Sequence, residues 1–280
     1  MPDVSVSGKI QEQISVTGKI IEQISVVKTL DEIFTIPIVF PENKVSTFYD
    51  GIDDCVHADG LAGGVVGNTQ GAWTFRMKLT NPNSGVNQSP LAISEAAALG
   101  LMGFLFTPLT GILKFFMIAN GAFKYTLESQ AGLINKSGWA HIGITHDGVN
   151  AKLYYQGIPT ASQIFASVTD LTAWASAGDG TFDTARIGCS SFGGGGDAAF
   201  FDGNIDEVRV WNVFKNDADI LADHNGGTSI EPDSVGLVSS YRMGDDPGDI
   251  HPTIIDTISG HNGTMFNMSP ASFVNDVSSS

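Results

Sequence analysis

From Trp139 to Gly157 the sequence alternates between two faces, turns, and alternates again. Trp139-Ala-His-Ile-Gly-Ile-Thr145 leads to Asp147-Gly148, and the chain returns as Ala151-Lys-Leu-Tyr-Tyr-Gln-Gly157. Period-two alternation puts successive side chains on opposite faces of an extended chain. An Asp-Gly pair between two such runs supplies the backbone angles of a hairpin turn. The pattern recurs at Ala72-Trp-Thr-Phe-Arg-Met-Lys-Leu79, with Trp73, Phe75, Met77 and Leu79 on one face and Ala72, Thr74, Arg76 and Lys78 on the other. Phe48-Tyr-Asp-Gly-Ile-Asp-Asp-Cys-Val56 reads as a strand, an Asp-Gly turn and a second strand start. Many such strands without intervening helices restrict the chain to a sandwich or barrel. The composition agrees, because 33 glycines and only 16% charged residues suit short strands joined by tight turns.

Two segments test this reading. Residues 96–117 are the most apolar, but Gly100, Gly103, Pro108 and Gly111 interrupt them, so they read as core strands and not as a membrane span. One short helix is expected over 218–223, capped by Asn216 or Asp217 and stopped by Asn225-Gly226-Gly227.

The first 33 residues repeat with a period of ten. Val4-Ser-Val-Ser-Gly-Lys-Ile-Gln-Glu-Gln13 is followed by Ile14-Ser-Val-Thr-Gly-Lys-Ile-Ile-Glu-Gln23 and a decayed third copy ending at Ile33. Val4, Val6, Ile10, Ile14, Val16, Ile20, Ile24 and Val26 share one face of an extended chain. A lone ribbon of this kind is marginal in water and offers open edges, so it wants a partner. Pro37 and Pro41 mark the break that follows. The expected organisation is a β-arm over 1–41, used for anchoring or assembly, and a sandwich over 42–280.

Thirty acidic residues against fourteen basic ones give a net charge of −16. Such a chain repels nucleic acid and anionic membranes, and its charge reads first as a solvated surface, with cation collection, calcium above all, as the alternative. Cys55 and Cys189 lie outside any zinc-type spacing. They fit either two buried thiols or one bridge. The start of the chain lacks a basic stretch followed by an apolar one, so no secretory signal is expected.

Catalytic patterns are sparse. Asp206 and Glu207 are adjacent, and on a regular strand they point to opposite faces, unlike the paired carboxylates of a glycosidase. The Gly188-to-Gly196 stretch has neither a nucleophile elbow nor the Lys-Ser/Thr of a phosphate loop, and reads as a loop. His141 and His146 are expected to be structural. Trp73, Trp139 and Trp211 are expected in the core. Trp174, in Leu171-Thr-Ala-Trp-Ala-Ser, reads as more exposed than the others, with a sugar-stacking platform as the lesser alternative to a structural role.

Five segments in order carry a resemblance: Phe48-Tyr-Asp-Gly-Ile-Asp-Asp; the 139–157 hairpin; Arg186-Ile-Gly188; Gly203-Asn-Ile-Asp-Glu-Val-Arg-Val-Trp-Asn212 with the short helix; and Gly236-Leu-Val-Ser-Ser-Tyr-Arg-Met243 with Asp256-Thr-Ile-Ser-Gly-His-Asn-Gly-Thr264. Over residues 45–268 the chain resembles the laminin-G-like family of concanavalin A-like folds. The resemblance implies an all-β, antiparallel jelly-roll sandwich. It also implies calcium near Asp50 and Asp206, with Asp53 as a helper. Together with the missing signal and the repetitive pairing arm, the resemblance to sandwiches frequent in phage particles points to a non-enzymatic structural virion protein, a capsid decoration or tail-associated subunit assembled in the host cytoplasm. Its arm would contact further copies and other virion proteins, with no nucleic-acid or membrane partner. The alternative is a carbohydrate-binding adhesin, which requires exposed aromatics beside convergent polar groups.

Overall fold

The alternating runs pair into two antiparallel sheets. A computed structural model describes residues 43–96, 100–134, 138–178, 181–191, 196–226 and 235–277. The expected arm over 1–41 lies outside the described residues. One sheet runs Ile158–Pro159, Ala151–Tyr155, Ala140–His146, Gly71–Leu79, Asp202–Trp211, Ser46–Asp50 and Phe273–Val274. Its long strand Asp202–Trp211 has two partners on one side: Ser46–Asp50 over its first half and Leu237–Tyr241 over its second. The other sheet runs Gln163–Ala166, Ala122–Ser129, Ile112–Ala119, Leu101–Thr107, Leu91–Ser94, Thr184–Ile187, Cys55–His57, Gly263–Phe266 and Thr253–Ile254. The expected jelly-roll sandwich is thus present.

The inward faces of the two sheets form the core. Trp73 and Phe75 from the first sheet meet Phe104 and Phe115 from the second at ring separations of 5.0 to 6.4 Å. All four are essentially fully buried, and each such side chain contributes roughly 1.5–3 kcal/mol from apolar burial. The expected 147–148 hairpin forms: Asp147 Oδ1 accepts from the Val149 and Asn150 amides, both at 2.8 Å, and Gly148 takes φ +91°. Residues 101–119 supply two core strands. Among the described residues no helix is long and apolar enough to cross a membrane.

The expected helix spans Asp217–Asn225. Asn216 accepts from the Ala218 and Asp219 amides, and Asp219 accepts from the Asn216 amide, which makes a full capping box. Ile220 packs with Ala72, Tyr154, Trp211 and Leu237 on the outer face of the first sheet. The helix therefore covers that part of the face, and Trp211 is buried there, not between the sheets.

Two tryptophans depart from expectation. Trp139 precedes its strand and is half-buried, with Nε1 donating to Asp276 Oδ1 at 3.2 Å. Trp174 is only 1% exposed. Its segment folds inward, so that the indole meets Trp73 at 5.9 Å, Phe115 at 5.5 Å and His146 at 5.0 Å. It is a core residue and offers no stacking surface. Cys55 and Cys189 form a disulfide, which resolves the alternative the sequence left open.

Candidate functional site

The first Asp-Gly turn closes the strand Ser46–Asp50. Gly51 sits at φ +75°, and a Cβ there would lie 2.7 Å from that of Asp202. Asp50 Oδ1 accepts from the Ile52 and Asp53 amides, and Asp54 Oδ2 accepts from the Asp50 amide. Carboxylate oxygens of Asp50, Asp53 and Asp54 lie within 4.8 Å of one another. These are hard oxygen donors of the kind calcium takes. Burial, reinforced by Asp50 and Asp53, pushes the Asp54 carboxyl up to about 6. Asp202, facing the turn, is raised by burial and by Asp50.

Asp206 is not part of this group. Asp50 is in register with Asp202 and Thr47 with Ile205, so Asp206 lies level with Ser46, at the opposite end of the strand Ser46–Asp50. There its Oδ2 accepts from Asn43 Nδ2 at 2.8 Å. The implied calcium set of Asp50, Asp53 and Asp206 is thus divided by strand register. Asp54, whose signal was the Asp-Asp pair itself, takes the third place beside the turn.

The expected opposition of Asp206 and Glu207 is corrected as well. Ile205, Val208 and Val210 all face the core, so two residues lie outward between Ile205 and Val208. A β-bulge between Asp206 and Arg209 inserts the extra residue, and Glu207 carries it at φ 50°. Both carboxyls therefore lie on the outer face, at 0% and 2% exposure. Glu207 Oε2 accepts from Arg209 at 2.5 Å, and Arg209 reaches Asp223 of the helix at 2.8 Å. His141 Nε2 meets Asp223 at 3.0 Å, and Thr74 donates to it at 2.8 Å. Burial by itself would raise Asp223, but Arg209 and His141 outweigh it and hold that carboxyl below the usual range. Burial raises Asp206, and the neighbouring Glu207 adds to the shift. The network joins helix to sheet and is closed to solvent.

An open arrangement lies on the solvent side of the second sheet. Met265 points inward at 5% exposure, so Phe266, next along the strand, points outward and is 44% exposed. Its ring stacks on His57 with centroids 3.8 Å apart and planes 21° apart. His57 Nε2 lies 2.6 Å from Asp197 Oδ2, and Asp197 Oδ1 accepts from Arg186 Nε at 2.9 Å. Arg186 Nη1 also donates to Asp59 and to the Ala185 carbonyl. Asn267 Nδ2 donates to the Asp53 carbonyl at 3.2 Å, which joins this aromatic platform to the acidic turn. The platform's acid, Asp197, comes from the short hairpin of Ser190–Ser191 with Asp197–Ala198. Sequence reasoning missed Phe266 and His57, whose meeting depends on a long-range strand pairing.

The family model described as the concanavalin A-like lectin/glucanases superfamily matches residues 64–221. Among solved structures, the CBM40 of the Ruminococcus gnavus IT-sialidase, bound to α2,3-sialyllactose, is 19% identical with a TM-score of 0.52. That match covers 65% of this chain and 96% of the other. A putative carbohydrate binding protein from Bacteroides ovatus is 17% identical with a TM-score of 0.53, covering 87% of this chain and 62% of the other. The leech intramolecular trans-sialidase is 17% identical with a TM-score of 0.52, covering 64% of this chain and 26% of that one. At these identities the likeness is one of fold. No curated protein matches the sequence.

Proposed function

This chain belongs to the concanavalin A-like lectin/glucanases superfamily, and from that premise we propose that it is a non-enzymatic carbohydrate-binding module with its glycan seated on Phe266. The observation that carries this reading is the preformed platform. Phe266 is exposed and stacked on His57, whose Nε2 is held at the ring edge by Asp197. A sugar ring has an apolar face that lies against an aromatic ring and a rim of hydroxyls that needs polar partners. Exposed Thr264 and Asn267 flank Phe266 to supply them. Two of the solved structures above are described as carbohydrate binders, which supports the same reading.

The burial of Asp206 and Glu207 supports a role without catalysis. Glu207 is engaged by Arg209 and approached by Arg242 at 3.8 Å, so it is not presented to a substrate. The virion reading rests on the arm over 1–41, outside the described residues, and the platform supports its alternative instead. The test is a glycan array probed with the full chain and with Phe266→Ala. Specific binding by the wild type, reduced at least tenfold in a variant of unchanged melting temperature, is expected. A wild type that binds no glycan, or a variant that binds as well as wild type, would overturn the proposal.

A further inference from the structure

We infer that the glycan held at this platform is uncharged, and that the protein discriminates against sialylated and other acidic sugars. The inference rests on the carbohydrate-binding reading and adds the ligand's chemical class. It follows from where the chain keeps its cations.

A sugar carboxylate is recognised best by a guanidinium, whose two parallel N–H donors match its oxygens. The chain has four arginines in all, Arg76, Arg186, Arg209 and Arg242, and each is less than 9% exposed. Each is also engaged. Arg76 donates to the His224 carbonyl, Arg209 pairs with Glu207 and Asp223, and Arg242 lies against Glu207. Arg186 alone adjoins the platform, and it is held by Asp59 and Asp197. Freeing it for a ligand would strand two carboxylates.

The surroundings point the same way. Asp53 adjoins the platform through Asn267, and Asp50 and Asp54 gather beside it. Asp197 lies at the Nε2 edge of His57. Three surface lysines are also committed: Lys78 to Asp276, Lys114 to Glu128 and Lys152 to Asp217. An anionic sugar approaching Phe266 therefore meets acidic groups and a cation already neutralised. Like charges brought together at a binding surface oppose association. A neutral sugar needs only the ring face and hydroxyl partners.

The experiment compares matched glycans on one array, neutral structures beside their sialylated and uronate-bearing counterparts, with calcium and with chelator. The expected result is binding to neutral members and at least tenfold weaker binding to each charged counterpart in both buffers. Binding to the neutral member should also stay constant as salt rises from about 0.05 to about 0.5 M, because no ion pair is there to be screened. Equal or stronger binding to the charged counterpart in either buffer would overturn the charge inference and leave the carbohydrate reading standing. So would salt-sensitive binding. Failure of every glycan to bind would overturn both.

Discussion

Asp206 and Glu207, neighbours in sequence, share the outer face of the first sheet because a bulge places both between the inward-facing Ile205 and Val208. The consequence is a buried charge network, since Glu207 and Asp223 both draw on the Arg209 guanidinium. Taking two carboxylates out of water is tolerable only while that cation stays with them.

Arg209→Met should therefore destabilise the protein by about 3–5 kcal/mol, because it leaves Glu207 and Asp223 buried without their shared partner. Urea unfolding at pH 7 checks this. A loss below about 1 kcal/mol would mean that solvent reaches the network.

The strands were legible because their signal is local. The 72–79 and 139–157 runs alternate with period two, and the Asp147-Gly148 turn forms where alternation breaks. The bulge was not legible. Ile205-Asp-Glu-Val208 reads as plain alternation, and Glu207 adopts a positive φ that ordinarily marks glycine. Trp174 sits in a segment without periodicity, so nothing nearby in sequence reveals that it turns between the sheets. The acidic turn was visible as Asp50-Gly-Ile-Asp-Asp54, but the exclusion of Asp206 from it depends on strand register. Phe266 was hidden for a similar reason. Alternation shows that it opposes Met265, whereas the His57 beneath it arrives from the far end of the domain.

The contribution of Asp54 to stability should fall as pH rises from about 4 to about 7 in chelator, opposite in sign to that of His141, His146 and His224, whose imidazoles are lowered by burial. Burial raises the Asp54 carboxyl in the folded state from 3.8 to about 6, so the native state binds more protons than the unfolded state between those values. By linkage that contribution is complete below the unfolded value and is lost as pH passes through about 6. Asp249, also raised by burial to about 6, adds the same sign. Asp54→Asn should remove this contribution and make the slope of melting temperature against pH more positive in this window. A variant with the wild-type slope would show that Asp54 does not titrate there.

Calcium should act on the same turn. If Asp50, Asp53 and Asp54 hold the ion, millimolar calcium raises the melting temperature at pH 7 and chelator reverses the shift, as binding to the native state alone requires. Asp53→Asn should abolish the shift. Asp206→Asn should retain it, because Asp206 lies level with Ser46, at the end of the strand Ser46–Asp50 away from the turn. A wild-type melt indifferent to both calcium and chelator would remove the ion from the account.

The disulfide connects stability to the platform. Cys55 and Cys189 close a loop with a sequence separation of 134, and the chain-entropy relation gives up to about 5 kcal/mol for a crosslink of that span. Cys189 also leads directly into the hairpin whose Asp197 holds both His57 and Arg186. Removing the crosslink should therefore loosen the support beneath Phe266 as well as lower global stability. In the Cys55→Ala/Cys189→Ala variant the denaturation midpoint should fall. At a temperature where the variant remains folded by circular dichroism, its glycan affinity should also be lower than wild type. A folded variant with undiminished affinity would show that the ionic ties of Asp197 fix the platform without the crosslink, leaving the disulfide a purely global role.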